Sequence, residues 1–163
     1  MKEDIFCPNF RSILCVHESC HLLALNILYP ESKFVDICVN DYDGYITIDE
    51  NIIDSEENMI KILLSGFIGC GIIKTGHKSL ITKENFIDFL SLGAGNGDWC
   101  ELRKRYSLKL HTALRLSNEI SPWFKSKTNL KYIGKVSKAL MSSPEPLKYE
   151  DIKTIINYDS KKS

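Results

Sequence analysis

The sequence predicts a mostly α-helical α+β domain, and three observations carry that expectation. Apolar residues recur at helical spacing through most of the chain, two short β-rich runs lie together near the N-terminal third, and Pro or Gly punctuates the joins. A length of 163 residues fits one domain, with the core expected over about residues 10–157, and buries roughly 70% of the surface of the unfolded chain.

From about Phe10 to Leu28 the apolar positions Ile13, Leu14, Val16, Leu22, Leu23, Leu25 and Leu28 predict a buried helix that stops before Pro30. Phe34 to Val39 and Tyr45 to Ile48, with the turn-forming stretch Asn40 to Gly44 between them, predict a hairpin. Asp54 and Glu57 form a candidate N-terminal cap pair for a helix running to about Lys74. Thr75 to Gly97, interrupted by Gly76, Gly93, Gly95 and Gly97, is expected to be a functional loop in which Phe86 to Leu90 can make a helical turn, and Trp99 to Glu119 one long helix. Pro122 opens a further helical stretch continuing through Leu130 to Leu140, a last short helix spans about Tyr149 to Asn157, and the ending Asp159 to Ser163 is expected to fray.

Lys and Arg number 21, as do Asp and Glu, so the formal charge is zero and no global field favours nucleic acid or an anionic membrane surface. Arg103, Lys104, Arg105 and Lys109 read as a solvated face. No stretch reaches roughly 18 unbroken apolar residues, so no membrane span is expected. Six cysteines without a Cys-x-x-Cys pair, after an N-terminus lacking a signal peptide's apolar run, predict buried reduced thiols in a cytoplasmic protein. The Gly71 to Ser79 segment has an extra His77 that breaks the spacing of a phosphate-binding loop, so no ATP binding is expected.

The chemistry concentrates in Val16 to Leu28, VHESCHLLALNIL, where His17 and His21 stand four apart with Glu18 after the first. On a helix such residues lie one above the other and can aim two imidazole nitrogens at one point, where Zn²⁺ takes bonds of about 2.0–2.1 Å. Glu18 can stand beside the metal as a general base that accepts a proton from water and hands it to a leaving amine. A catalytic zinc needs a third protein ligand and an open position. Ala24 and Ile27 stand where a longer histidine motif has its glycine and its ligating third histidine. Glu56, Glu57 and Asp98 are the acidic candidates. Asp98 is the better one, because the glycine-rich stretch before it lets backbone approach a buried site. Cys20, beside His21, reads as a packing residue, and His77 and His111 as surface residues.

VHESCHLLALNIL resembles the His-Glu-Ala-Gly-His helix of the FtsH-type zinc peptidases. Asp43 to Thr47 resembles their Leu-Gly-Tyr-Thr strand, Ile62 to Gly66 their following leucine/glycine helix, Gly93 to Asp98 their Gly-Ala-Ser-Asn-Asp segment, and Asn129 to Ile156 their C-terminal helices. The resemblance implies a zincin-like zinc helix with a flanking hairpin, Zn²⁺ held by His17, His21 and Asp98, and Glu18 as general base. A stand-alone, ATP-independent endopeptidase acting on unfolded or peptide substrates is the activity expected, with a catalytically weak, peptidase-like metal-binding interaction module as the alternative. The chain departs from the family at Phe67 to Gly71, which lacks an Ala-Glu acid, and at Asn96-Gly97-Asp98, which has one residue more. The ATPase domain and membrane spans of the family have no counterpart. Tyr45, Ile46 and Thr47, on a strand with an edge to spare, are the candidate substrate-binding residues, receiving an extended peptide as an added strand.

Overall fold

A computed structural model describes residues 10–157. The expected mostly helical α+β class is what it shows, with a small antiparallel sheet. Helix α1, Phe10–Leu28, has the predicted limits, and nearly every residue from Leu14 to Leu25 is buried. A helix apolar on all sides belongs between two layers, and α1 does separate two clusters. Cys20 and Leu23 pack with Leu64, Phe67 and Ile68 on one side, while Leu14, Leu22 and Leu25 pack with Phe34, Ile37 and Val136 on the other.

The second cluster is closed by the sheet, whose strands β1 (Asp36–Val39), β2 (Gly44–Thr47) and β3 (Leu147–Lys148) lie in the order β2-β1-β3. The hairpin β1–β2 pairs Ile37 with Ile46, and the unexpected β3 pairs Lys148 with Asp36. The central strand is thus paired with β2 on one side and, at Asp36 and Ile37, with β3 on the other, and β2 is left with an outer edge. A 3₁₀ turn, Glu50–Ile52, leads to α2, Glu56–Thr75. Its N-cap is Ser55, whose hydroxyl accepts from Asn58 N–H, a bond worth ~1 kcal/mol. The expected cap residue Asp54 instead accepts from the Tyr29 hydroxyl. Helix α2 is long and apolar enough to cross a membrane by length and composition, and here it packs against α1 on one side. It ends on Gly76, a left-handed C-cap at φ 66°, so the Gly71 to Ser79 segment is a helix exit and not the strand-to-helix turn a phosphate loop requires.

Three expectations are corrected beyond this point. The stretch 75–97 is not an open loop, because Lys83–Leu92 forms helix α3, started by a reciprocal Thr82/Asn85 capping box and pinned by buried Phe86 and Phe89. The expected long helix from Trp99 is two helices, α4 (Asn96–Tyr106) and α5 (Leu110–Ile120). Ser107 at φ 49° breaks them, and the next residue, Leu108, drops into the core. Pro122 opens only the 3₁₀ turn Ser121–Phe124, after which α6 (Lys127–Ser142) and α7 (Tyr149–Asn157) close the fold. Cys15, Cys20 and Cys70 are buried free thiols, as expected, whereas Cys100 is exposed. Burial pushes Cys15 and Cys70 up to about 11, which keeps them protonated and inert. Cys7 and the ending Asp159 to Ser163 lie outside the described residues.

Candidate metal centre

Helical spacing on α1 stacks His17 and His21, with ring centroids 4.6 Å apart and Nε2 atoms 2.9 Å apart. Both are buried, at 4% and 8% exposure. Each ring is fixed from behind: His17 Nδ1 lies against the Gly93 carbonyl, and His21 Nδ1 lies 2.7 Å from the Ile62 carbonyl. A carbonyl only accepts, so both Nδ1 atoms carry hydrogen and both Nε2 atoms present lone pairs to the same point.

Asp98 completes the convergence. Its Oδ2 lies 2.8 Å from His17 Nε2 and 3.2 Å from His21 Nε2. It stands third in α4, after Asn96 and Gly97 and not at the N-cap, which is Gly95, so the macrodipole favours its negative charge. The extra residue before the aspartate is therefore absorbed into the helix's first turn. Gly93 and Gly95 make this possible, since a Cβ on Gly93 would lie 2.6 Å from the Phe67 carbonyl oxygen and one on Gly95 2.7 Å from Phe67 Cδ1. The loop lies flat on α2, delivering the Gly93 carbonyl to His17 and Asp98 to both imidazoles.

Three acceptor atoms facing one another at 2.8–3.2 Å repel unless a cation sits among them, and the buried Asp98 Oδ2 has no hydrogen-bond donor. The cation is either a proton or a metal. A tetrahedral ion with bonds of about 2.0–2.1 Å separates its ligands by roughly 3.3 Å, so His17, His21 and Asp98 fit Zn²⁺ with little movement, and among the described residues they form the group that could hold a metal ion. With only protons available, burial opposes charging His21, but Asp98 outweighs it and raises the imidazole to about 9. Burial likewise opposes the Asp98 charge, and His21 and His17 overcome it, holding the carboxyl well below its ordinary range.

Glu18 is 5% exposed, and burial pushes its carboxyl pKa up against the pull of His21 and His17. Strand β2 crosses directly over it, where a Cβ on Gly44 would lie 2.7 Å from Glu18 Cγ. Glu18, His21 and Asp98 together line a cavity of about 340 Å³ that also takes in Tyr45, Ile46 and Met59. At its rim Arg105 on α4 reaches Glu50 at 3.0 Å.

The structure brings together His17, Glu18, His21, Asp98, Tyr45 and Ile46. Thr47 stands apart from the cavity lining. The Asn40 N–H donates to the Asp43 carbonyl at 2.8 Å. Alternation along the register from that pair turns the main-chain groups of Tyr45 and Thr47 toward β1, and those of Gly44 and Ile46 outward. Gly44 N–H is taken by the Asp43 carboxylate, which leaves Ile46 as the outward residue. Glu57, an alternative third ligand, pairs with Lys61 and Arg115, and the ligating group includes neither it nor Glu56.

Sequence reasoning missed Gly66. A Cβ there would lie 2.6 Å from His17 Nε2 and closer still to His21 Nε2, so α2 presents bare backbone to the point where the ligands meet. The Ile62 and Gly93 carbonyls were equally invisible, and they orient the two imidazoles from behind. Comparison with protein-family models, with curated proteins and with solved structures gives no match, so geometry and chemistry carry the functional reading.

Proposed function

We propose that the protein is a zinc-dependent endopeptidase acting on unfolded or peptide substrates without ATP. The observation that carries this reading is the convergence of two imidazole lone pairs and one carboxylate oxygen beside a buried glutamate, on the wall of an open cavity. The resemblance to FtsH-type peptidases supports it. His17, His21 and Asp98 would hold the ion, and Zn²⁺, when bound, supplies Lewis-acid polarisation of a carbonyl and lowers the pKa of water toward about 7.

The remaining work falls to the chain. Glu18, with its proton affinity raised by burial, takes the proton of an attacking water and passes it to the leaving amine. Outward main-chain groups of Ile46 pair with an extended peptide, which lies along β2 and above Glu18. A purely structural zinc would have its coordination closed by a fourth protein ligand. The three-member ligating group and the cavity beside it favour catalysis.

Purified protein is expected to hold about one zinc per chain and to cleave an unfolded test protein such as reduced casein. Glu18→Gln is expected to retain the zinc while losing at least about 100-fold in cleavage rate. A zinc-free wild-type protein sinks the reading. A zinc-loaded wild type without cleavage leaves the metal-binding interaction module in its place.

A further inference from the structure

On the other side of α4 lies a second groove, of about 610 Å³, bounded by α3, α4 and the start of α5. Its apolar lining includes Phe86, Ile87, Leu90, Trp99, Leu108 and Leu110. The aromatic floor is rigid: Phe86 stacks edge-on between Phe67 and Trp99, with centroids at 5.3 and 5.1 Å. Ile87 is 52% exposed on its rim. The charged residues that line it are Arg103 and Lys109, both cationic, and no acid joins them. Arg103 lies over the Trp99 ring at 5.9 Å, and neither cation has an ion-pair partner among the described residues. Lys109 is also the N-cap of α5, whose first turn has no side-chain cap, so the partial positive charge of that helix end adds to the same rim.

We propose that this groove docks an acidic segment of a partner protein, with large apolar side chains seated on Trp99, Ile87 and Leu90 and carboxylates paired with Arg103 and Lys109. Charge complementarity selects the occupant. The two cations, without an ion pair among the described residues, attract an anion, while the aliphatic walls demand apolar side chains that a nucleic acid lacks. The chain's zero net charge offers no wider field for a polyanion or an anionic membrane. Trp99 follows Asp98 directly on α4, so the docked segment lies one residue from the third candidate ligand while leaving the metal cavity open. The proposal does not depend on the peptidase reading.

Trp99 is its own reporter. The chain has two tryptophans, so a Trp123→Phe background isolates the signal. A synthetic peptide alternating Glu with Leu and Phe, and its counterpart with Lys for every Glu, are titrated into the full chain. The acidic peptide is expected to change Trp99 fluorescence saturably, to bind at least about tenfold tighter than the basic one, and to weaken with salt. Arg103→Glu combined with Lys109→Glu, both exposed positions, is expected to invert the preference. Equal binding of the two peptides, or an unchanged preference in the double variant, overturns the proposal. A response to phosphatidylglycerol vesicles or to oligothymidylate without one to the acidic peptide also overturns it, assigning the groove to lipid or nucleic acid instead.

Discussion

At the scale of single residues, what this site excludes matters as much as what it contains. Gly66 contributes no side chain, yet a methyl group there would fall among the histidine nitrogens. Those rings cannot swing aside, since the Gly93 and Ile62 carbonyls hold them from behind. Gly66→Ala is therefore expected to lower zinc affinity by a factor of roughly 10–100, the cost seen when ligand orientation is disturbed, although every ligand is intact. Zinc content after dialysis, with helicity checked by circular dichroism, tests it; full retention would show that the ligands do not meet where α2 passes. Glu18 gives a second prediction, with the sign set by burial. Its carboxyl pKa is raised from 4.5 in the folded chain, so its contribution to stability is complete below about 4.5 and is lost as pH rises through the folded value. In chelator-treated protein, Glu18→Gln is expected to raise Tm at about pH 8 and to give up most of that advantage near pH 4.5. A Tm difference independent of pH would place Glu18 in water and not in the wall. The candidate ligands were legible in the sequence because a histidine or an aspartate announces its chemistry. Gly66, Gly44 and the two carbonyls were not, because their roles exist only once α2, β2 and the 93–97 loop are packed against α1.

Among elements, legibility followed how locally each is determined. The C-terminal end of helix α1 was readable, since its apolar run is long and Pro30 follows it. Helix α3 showed only as a candidate turn at Phe86 to Leu90, because it has 10 residues and its capping box uses Asn85 where Glu or Gln is the usual signal. The break at Ser107 comes from Leu108 entering the core, a tertiary demand that overrides a continuous helical pattern. Strand β3 has two residues and pairs with β1 more than a hundred positions away. Its presence decides the prediction that belongs to the sheet. With β1 in the centre, β2 and β3 are the outer strands; the edge beside the cavity is that of β2, and the register turns the Ile46 main chain outward and the Thr47 main chain inward. Ile46→Pro removes an outward donor, so it is expected to raise KM for an unfolded substrate by roughly five-fold, about one hydrogen bond, with zinc and fold retained. Thr47→Pro removes a ladder bond to β1 and is expected to lower Tm instead. If Ile46→Pro leaves KM unchanged in a folded, zinc-loaded protein, the substrate does not bind as an added strand.

For the whole molecule, a cation bound at this site is expected to couple folding to protons and, where zinc binds, to metal. Helices α1 and α4 and the loop before α4 meet only in the folded chain, so whatever cation satisfies His17, His21 and Asp98 stabilises the fold as it binds. Without metal that cation is a proton. Burial resists it, but Asp98 holds it on His21 with a pKa of about 9, against 6.5 unfolded. A raised folded pKa contributes stability that is complete below 6.5 and is lost as pH rises through about 9. Asp98 is lowered from 3.8, so its share is present above 3.8 and lost as pH falls through the folded value. The metal-free pair is thus most stabilising between about pH 4 and 6.5. Zinc needs the same lone pair that the proton occupies, so binding below about pH 9 must expel the proton. The apparent zinc affinity is expected to rise about tenfold per pH unit through neutrality and to level off near pH 9, and the zinc-dependent gain in Tm to grow over the same range. Calorimetric titration with Zn²⁺ near pH 7.5, in two buffers of different ionisation enthalpy, measures the release directly. At least one proton per ion is expected. Release of none, with zinc bound at full occupancy, would mean that the ion sits away from His21 and that the convergence of the three acceptors serves a proton alone.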